Sequence, residues 1–302
     1  MSVAATTLAP PVRLKEGKAL PILTVLAALA VVWYLGAVWL NAPQVRERLE
    51  RAGQPWSATD LVAGTWAMER PVLPAPHQIA VELWDTVVDK PVTSKRSLVH
   101  HAGVTLSATL AGFAIGVVLG IALAIGIVHA VTLDRSLMPW IIASQTIPIL
   151  AIAPMVVVVL GNLGFTGVLP KAVISGYLSF FPVTIGMVKG LRSPDPIQLD
   201  LMRTYSATRA QVFSKLRWPA STVFLFPSLK VAIALALVGA IVAELPTGAQ
   251  AGLGARLLAG SYFGQTVQIW SALFMSAFLA LVLIAAVALC ERLVVRLRGG
   301  RP

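Results

Sequence analysis

Two ionisable residues, Lys230 and Glu244, lie within one apolar stretch that is long enough to span a membrane. They are fourteen positions apart, which is about 21 Å along a helix, on much the same face, so they cannot pair with each other. Lys230 can extend its ammonium group toward the nearer membrane surface. An acidic residue at the depth of Glu244 normally faces a cavity or a partner; a solvated span end is the alternative. We therefore predict that Glu244 lines a pathway or its outer gate.

Other residues with chemical potential carry weaker signals. His100 and His101 point to different sides of a helix and have no carboxylate at ligand spacing, so we interpret them as an interfacial pair. The single Cys290 excludes an internal disulfide and a four-cysteine zinc site. The sequence lacks the ATP-binding pattern G-x-x-x-x-G-K-[ST], and its apolar stretches lack a Ser/His/Asp set. We expect neither enzymatic activity nor a cofactor in this chain.

The composition indicates an all-α polytopic membrane protein, because 57% of the residues are hydrophobic and only 12% are charged. The net charge of +11 does not indicate nucleic-acid binding, since the basic residues flank apolar stretches instead of forming one patch. That distribution follows the positive-inside rule and places both termini in the cytoplasm. Six transmembrane helices are predicted at Leu20–Leu40, Val104–Val131, Pro139–Gly161, Pro170–Val188, Val223–Leu245 and Ile269–Cys290.

The predicted organisation has a cytoplasmic tail (1–19), the first transmembrane helix (20–40) and an external segment (41–102). A core of five transmembrane helices (103–292) follows, with a cytoplasmic loop at 190–222, and the chain ends in a second tail (293–302). In the external segment, Leu73-Pro74-Ala75-Pro76 breaks the chain. After it, Ile79, Leu83 and Val87 form an apolar stripe, which predicts an amphipathic helix on the outer membrane surface.

Two spans carry further patterns. In the second span, Gly112, Gly116 and Gly120 recur every four residues, which predicts close packing against another helix. In the third, Pro148 and Pro154 each leave a backbone carbonyl without its donor. This helix is therefore predicted to be kinked and to face protein or water there, which makes both prolines candidates for the pathway or its gate.

The polar segment Pro194–Pro219, here called the coupling loop, predicts two short helices joined at Ser206-Ala207. Thr208 can cap the second helix and Gln211 can reach back to it. Each helix has an apolar face, so the loop is expected to dock on a partner. The apolar positions are Leu201 and Tyr205 in the first helix and Val212, Phe213 and Leu216 in the second.

The coupling loop resembles the EAA loop of ABC importer permeases, whose pattern is E-A-A, three residues, G, nine residues, I, one residue and L-P. The spacing matches at every step, with Asp200-Leu201-Met202 at E-A-A, Ser206 at the glycine, Leu216 at the isoleucine and Trp218-Pro219 at L-P. Elsewhere the chain is similar to the nitrate/sulfonate/taurine-type branch. The resemblance assigns ATPase coupling to Asp200, Leu201, Met202, Ser206, Ala207, Thr208, Phe213, Leu216, Trp218 and Pro219.

The resemblance implies a type I ABC importer permease in a bacterial-type inner membrane. It also implies a second permease copy in a homodimer, cytoplasmic ATPase subunits that bind ATP and magnesium, and an external substrate-binding protein. The solute would be small and anionic or polar. The alternatives are a secondary transporter driven by an ion gradient, which usually shows internal repeats and more ionisable residues in its spans, and a membrane-embedded enzyme.

Overall fold

The computed structural model describes residues 19–53, 55–245 and 251–297, and within them every regular element is helical. Helix α3 runs into a π-helical turn at Asp85–Asp89, and α9 into another at Phe213–Arg217. The predicted tail up to residue 18 and residues 298–302 lie outside the described residues. The helices are α1 (Ala19–Arg51), α2 (Ala58–Trp66), α3 (Pro76–Trp84), α4 (Leu98–His129), α5 (Val131–Ser144), α6 (Ile149–Asn162), α7 (Val168–Leu191), α8 (Pro196–Thr204), α9 (Arg209–Val212), α10 (Trp218–Glu244), α11 (Leu253–Tyr262) and α12 (Thr266–Leu297).

Among the described residues, five helical stretches are long and apolar enough to cross a membrane: α1, α4, α7, α9 with α10, and α12. Helices α5 and α6 pass the same test only as a pair, and they bend by 100° at the break between them. This pair replaces the predicted third span, and Pro148 lies at a break and not merely at a kink, whereas Pro154 lies within α6. The prediction of an all-α polytopic membrane protein is confirmed.

The chain divides between His77 and Gln78 into two compact units. In the first unit, the buried side chain of Asn41 holds the proline-containing segment. Its Nδ2 donates to the Leu73 carbonyl at 2.9 Å, and its Oδ1 accepts from the Val72 amide at 2.7 Å. The Trp33 indole donates to the Pro74 carbonyl at 3.0 Å. Side chains of α1 therefore satisfy backbone groups that the prolines keep out of a helix.

The second unit is built on α4, α7 and α10. The glycine stripe of α4 is buried and faces α7, as predicted. A Cβ at Gly112 would overlap Ser175, and one at Gly120 would lie 2.8 Å from the Phe180 carbonyl oxygen. Only glycine permits the two backbones to approach so closely.

The amphipathic stripe after the proline segment lies elsewhere than predicted. Ile79 is buried, and Leu83 and Val87 pack on the apolar cluster that contains Leu98 and Leu253. The stripe thus contacts the chain's own core and not the membrane surface. The apolar side chains that this region exposes are Val81, Trp84 and Val88. The sequence could not distinguish protein from lipid as the partner of an apolar stripe, because both exclude water.

Candidate functional site

The coupling loop contains the two short helices that the sequence predicts, α8 and α9. The Thr208 amide donates to Gln211 Oε1 at 2.8 Å, and the Gln211 amide donates to Thr208 Oγ1 at 3.3 Å, which confirms the predicted capping box. A second box that the sequence analysis missed, formed by Asp195 and Gln198, caps α8. Both helices begin with their free amide groups satisfied, so their starting points are well defined.

Ser206 occupies the turn between α8 and α9 with φ of +52°, and it is the one residue other than glycine with a positive φ in the described parts of the chain. The Ala207 amide donates to the Met202 carbonyl at 3.0 Å, and the Ser206 amide donates to the Arg203 carbonyl at 2.8 Å. These two bonds form a Schellman motif, whose left-handed position is usually glycine. The glycine of the EAA pattern thus corresponds to a position where serine is strained by about 1–2 kcal/mol.

The second half of the coupling loop is attached to the core. The Phe213 ring lies 5.4 Å from the His129 ring and 5.9 Å from the Trp218 ring, between ring centroids. Phe213 and Trp218 both pack on the apolar cluster that contains Met187 and Leu191. The Trp218 amide bonds to the Phe213 carbonyl in the π-turn, and the helix continues through Pro219 into α10. Pro219, the last residue of the coupling loop, therefore lies within a continuing helix, directly after the π-turn.

The first half of the coupling loop exposes apolar side chains. Ile197 is 76% exposed, Leu201 55% and Tyr205 77%. Their spacing of four residues puts them in one row on α8. Asp200, at the first position of the E-A-A match, forms an exposed ion pair of 2.8 Å with Arg203. An exposed apolar row on a capped nine-residue helix offers a surface for another protein.

Glu244 is 0% exposed and ends α10, so it is not a solvated span end. The Thr105 hydroxyl of α4 donates to its Oε1 and Oε2 at 3.1 and 3.0 Å. Lys171 Nζ of α7 lies 3.2 Å from Oε1, and the Gly254 amide of α11 donates to Oε2 at 2.9 Å. We call this group of Thr105, Lys171, Glu244 and Gly254 the Glu244 clasp. It connects four helices through one carboxylate, which is how a buried charge is tolerated at low dielectric.

The segment before α11 depends on the same clasp. The Gly252 amide donates to His101 Nδ1 at 2.9 Å, and the Leu253 amide donates to Thr105 Oγ1 at 2.8 Å. Gly252 has φ of +128°, and a Cβ there would overlap the Glu244 carboxylate. His101 is buried, so it is not an interfacial residue. The glycines that follow Glu244 in the sequence are therefore required by the carboxylate they surround.

The other two gate candidates lie on the bent pair. Pro148 is exposed and precedes the first residue of α6, and Pro154 is half-buried within α6. The break between the two helices frees carbonyl groups at the end of α5, and the Tyr177 hydroxyl of α7 donates a short hydrogen bond to the carbonyl of Ser144. The two prolines are far along the chain from Glu244, and their role in a pathway stays a prediction.

Comparison with known proteins decides the family. A family model described as "Binding-protein-dependent transport system inner membrane component" matches residues 116–299. The chain belongs to this family. It is 33% identical over 183 residues to the formylaminopyrimidine transport permease protein ThiX of Halalkalibacterium halodurans, covering 61% of this chain and 68% of the relative. It is 30% identical over 241 residues to the riboflavin transport system permease protein RibX of Chloroflexus aurantiacus, covering 80% and 85%.

A third relative, the nitrate import permease protein NrtB of Leptolyngbya laminosa, is 25% identical over 177 residues, or 57% of this chain and 62% of the relative. The chain is thus an ABC importer permease, a multi-pass membrane subunit that is not itself catalytic, as the resemblance implied. Members of this family associate with ATPase and substrate-binding subunits.

Several important residues of the permease escaped the sequence analysis. Lys171 falls at the start of the predicted span Pro170–Val188 and was not singled out, yet it supplies the counter-charge of Glu244. Lys230 pairs with Glu291 of α12 at 2.5 Å instead of extending alone toward water. The sequence does show opposite charges at the ends of different spans. Which of them form pairs depends on contacts between residues far apart in sequence.

Proposed function

We propose that two copies of this permease form the translocation pathway of an ATP-driven importer for a small anionic or polar solute. A separate cytoplasmic ATPase, which carries the ATP and magnesium, engages the coupling loop of each copy. An external binding protein delivers the solute, both termini lie in the cytoplasm, and the complex resides in the inner membrane. The resemblance to the EAA loop and the absence of an ATP-binding motif in this chain support the proposal.

The observation that carries the coupling role is the division of the loop between an exposed and an attached half. The row of Ile197, Leu201 and Tyr205 is free to enter a groove on the ATPase. The attached half continues without interruption into α10, so a force on the row reaches a transmembrane helix directly. A groove that receives three apolar side chains would exclude water around them and gain most of its affinity there.

The test is a charge in the exposed row. Leu201→Glu should abolish co-purification of the ATPase and ATP-dependent uptake in proteoliposomes, while the amount of inserted permease stays normal. Val131→Glu is the matched control, since Val131 is equally apolar and exposed but lies in the first turn of α5. Retained ATPase binding by Leu201→Glu would reject this surface. Uptake that an uncoupler abolishes would support the ion-gradient alternative.

The solute itself is proposed only as a class. The relatives named above carry names that specify a formylaminopyrimidine, riboflavin and nitrate, which share no common skeleton. We propose that the external binding protein makes the selection and that the permease pathway discriminates little. A thermal-shift screen of the cognate binding protein against small anions and heterocycles would identify the solute, and strict selection by a permease reconstituted without that protein would contradict the proposal.

A further inference from the structure

A cavity of about 520 Å³ lies in the second unit, and its lining includes no residue of the coupling loop or of the Glu244 clasp. Its walls come from α3 with its π-turn, the segment that precedes α4, α11 and the start of α12. The residues that carry the argument below are Glu82, Asp85, Lys90, Arg96, Arg256 and Gln268. The volume is within the range of sites for small molecules, and five of the lining residues are charged.

Arg256 of α11 has an unmet hydrogen-bonding requirement in this cavity. Its Nε is sealed from solvent and has no hydrogen-bond partner in the part of the chain that the structure describes. Burial lowers the pKa of its guanidinium group, the carboxylate of Glu82 opposes that shift, and the like charge of Arg96 adds to it. An unpaired buried donor adds to the cost of burying this cation, and an anion in the cavity would offset that cost by accepting from the terminal amino groups of the guanidinium group.

The remaining charges of the cavity leave a cationic excess. Lys90 Nζ lies 3.3 Å from Asp85 Oδ1, so these two residues compensate each other. Glu82 is then the carboxylate that acts on Arg256, and Arg96 adds a second positive charge near Arg256. Burial is the main cause that raises the pKa of Glu82, and the positive charge of Arg256 opposes it. One carboxylate of reduced acidity does not neutralise two guanidinium groups.

We propose that this cavity is a binding site for a small oxyanion, such as a carboxylate, sulfonate or phosphate, held by Arg256 together with Arg96. A planar guanidinium group donates two parallel hydrogen bonds to such an anion, and the amide of Gln268 supplies a further donor. The walls belong to segments that the charge pattern places outside, so the anion arrives from the outer face. The site stands independently of ATPase coupling, because binding requires only the permease.

The experiment uses purified, delipidated permease in detergent, titrated with sodium methanesulfonate or inorganic phosphate at constant ionic strength, with sodium chloride as the reference. Saturable binding is expected for the wild type, by thermal shift and by calorimetry. Arg256→Gln should weaken it at least tenfold, because it removes a charge-assisted pair of hydrogen bonds. Arg203→Gln, on the exposed coupling loop, is the matched control and should bind as the wild type does.

A second variant is expected to bind the anion more tightly, and misfolding could not produce that result. Glu82→Gln removes the carboxylate that competes with the anion, so it should bind several-fold more tightly. A merely structural role for these residues would not produce tighter binding. The proposal is overturned if the wild type shows no saturable binding beyond chloride, if a folded Arg256→Gln binds normally, or if Glu82→Gln binds no better. Binding only in lipid nanodiscs would assign the cavity to a lipid headgroup and would also overturn it.

Discussion

The coupling loop and the Glu244 clasp place energetically unfavourable groups in opposite ways. The loop exposes apolar side chains, and the clasp buries a carboxylate. The loop exposes Ile197, Leu201 and Tyr205 to solvent and holds Ser206 in a strained conformation. The clasp takes a carboxylate fully out of water and surrounds it with donors from α4, α7 and α11. The apolar side chains of the loop are thus left uncovered by the rest of this chain, whereas the carboxylate of the clasp is satisfied within it.

Because of this difference, mutations in the two regions should affect different properties of the protein. Changes in an incomplete surface affect association and leave the fold intact, because the groups make few contacts before the partner arrives. Changes in a complete buried network affect the fold, because each removed partner leaves another polar group unsatisfied. Stability and association measurements on the same variants can therefore test the comparison.

The largest effect is expected from a charge at the turn of the coupling loop. Ala207→Glu places a carboxylate between the small residues Ser206 and Thr208 of the turn, and an unpaired charge in a contact that excludes water costs several kcal/mol. We expect roughly a thousandfold loss of ATPase affinity and no uptake. Affinity is measured by co-purification and titration. Membrane level and thermal midpoint should equal those of Ala207→Ser, and a lowered midpoint would show that the turn also supports the fold.

Mutation of the Glu244 clasp should change stability instead of ATPase affinity. Glu244→Gln preserves shape but leaves the Lys171 ammonium without its counter-charge, and breaking a buried pair costs about 3–5 kcal/mol. We expect a lower thermal midpoint, with normal ATPase affinity in the fraction that remains folded. The double variant Glu244→Gln with Lys171→Met should recover part of the loss. Normal stability with reduced uptake would favour the pathway role that the sequence predicts for Glu244.

A smaller loss is expected at the glycine that surrounds the carboxylate. Gly252→Ala must place a Cβ against Glu244 at a φ of +128°, in a region essentially restricted to glycine, whereas Gly264→Ala meets a left-handed φ of +64° and open space. Gly264→Ala should cost about 1 kcal/mol from backbone strain alone. Gly252→Ala should cost clearly more, because the overlap adds to the strain. Equal thermal midpoints for the two variants would mean that the clasp can move aside.

The smallest expected effect is a gain in local stability at the turn of the coupling loop. Ser206→Gly relieves the left-handed strain of the Schellman motif, so the turn should open less readily by about 1 kcal/mol. Hydrogen exchange of the Ala207 amide, which donates to Met202, measures this opening directly. Ser214→Gly, in the π-turn, should not slow exchange there. Unchanged exchange in Ser206→Gly would show that serine carries no strain at this position.

Local patterns in the sequence predicted local structure well. The capping box of Thr208 and Gln211 needs only residues three apart, and the stripe of Gly112 and Gly116 lies on one helix face whatever its partner is. The spacing of the coupling loop was equally visible. These features depend on backbone geometry that neighbouring residues determine among themselves.

Features that depend on distant residues were not predictable. Glu244 stood out as a carboxylate in an apolar span, yet its partners Thr105 and Lys171 lie on other helices and look ordinary in their own segments. In the same way, the sequence shows apolar positions in both halves of the coupling loop. Phe213 is covered by His129, Trp218 and the apolar cluster that contains Met187, whereas Tyr205 has no such cover, and the sequence does not show these contacts.

The helical stretch from Arg209 to Glu244 has a mechanical consequence. Its 36 residues, which include the π-turn at Phe213–Arg217 and Pro227, span about 54 Å, with the turn of the coupling loop at one end and the clasp carboxylate at the other. Axial displacement of this stretch moves Glu244 against Thr105 and Lys171, which belong to other helices. Because these bonds measure 3.0–3.2 Å, a shift of about 1 Å would break them. If an ATPase engages the coupling loop as proposed, its position would bear on the buried ion pair at the far end of the helix.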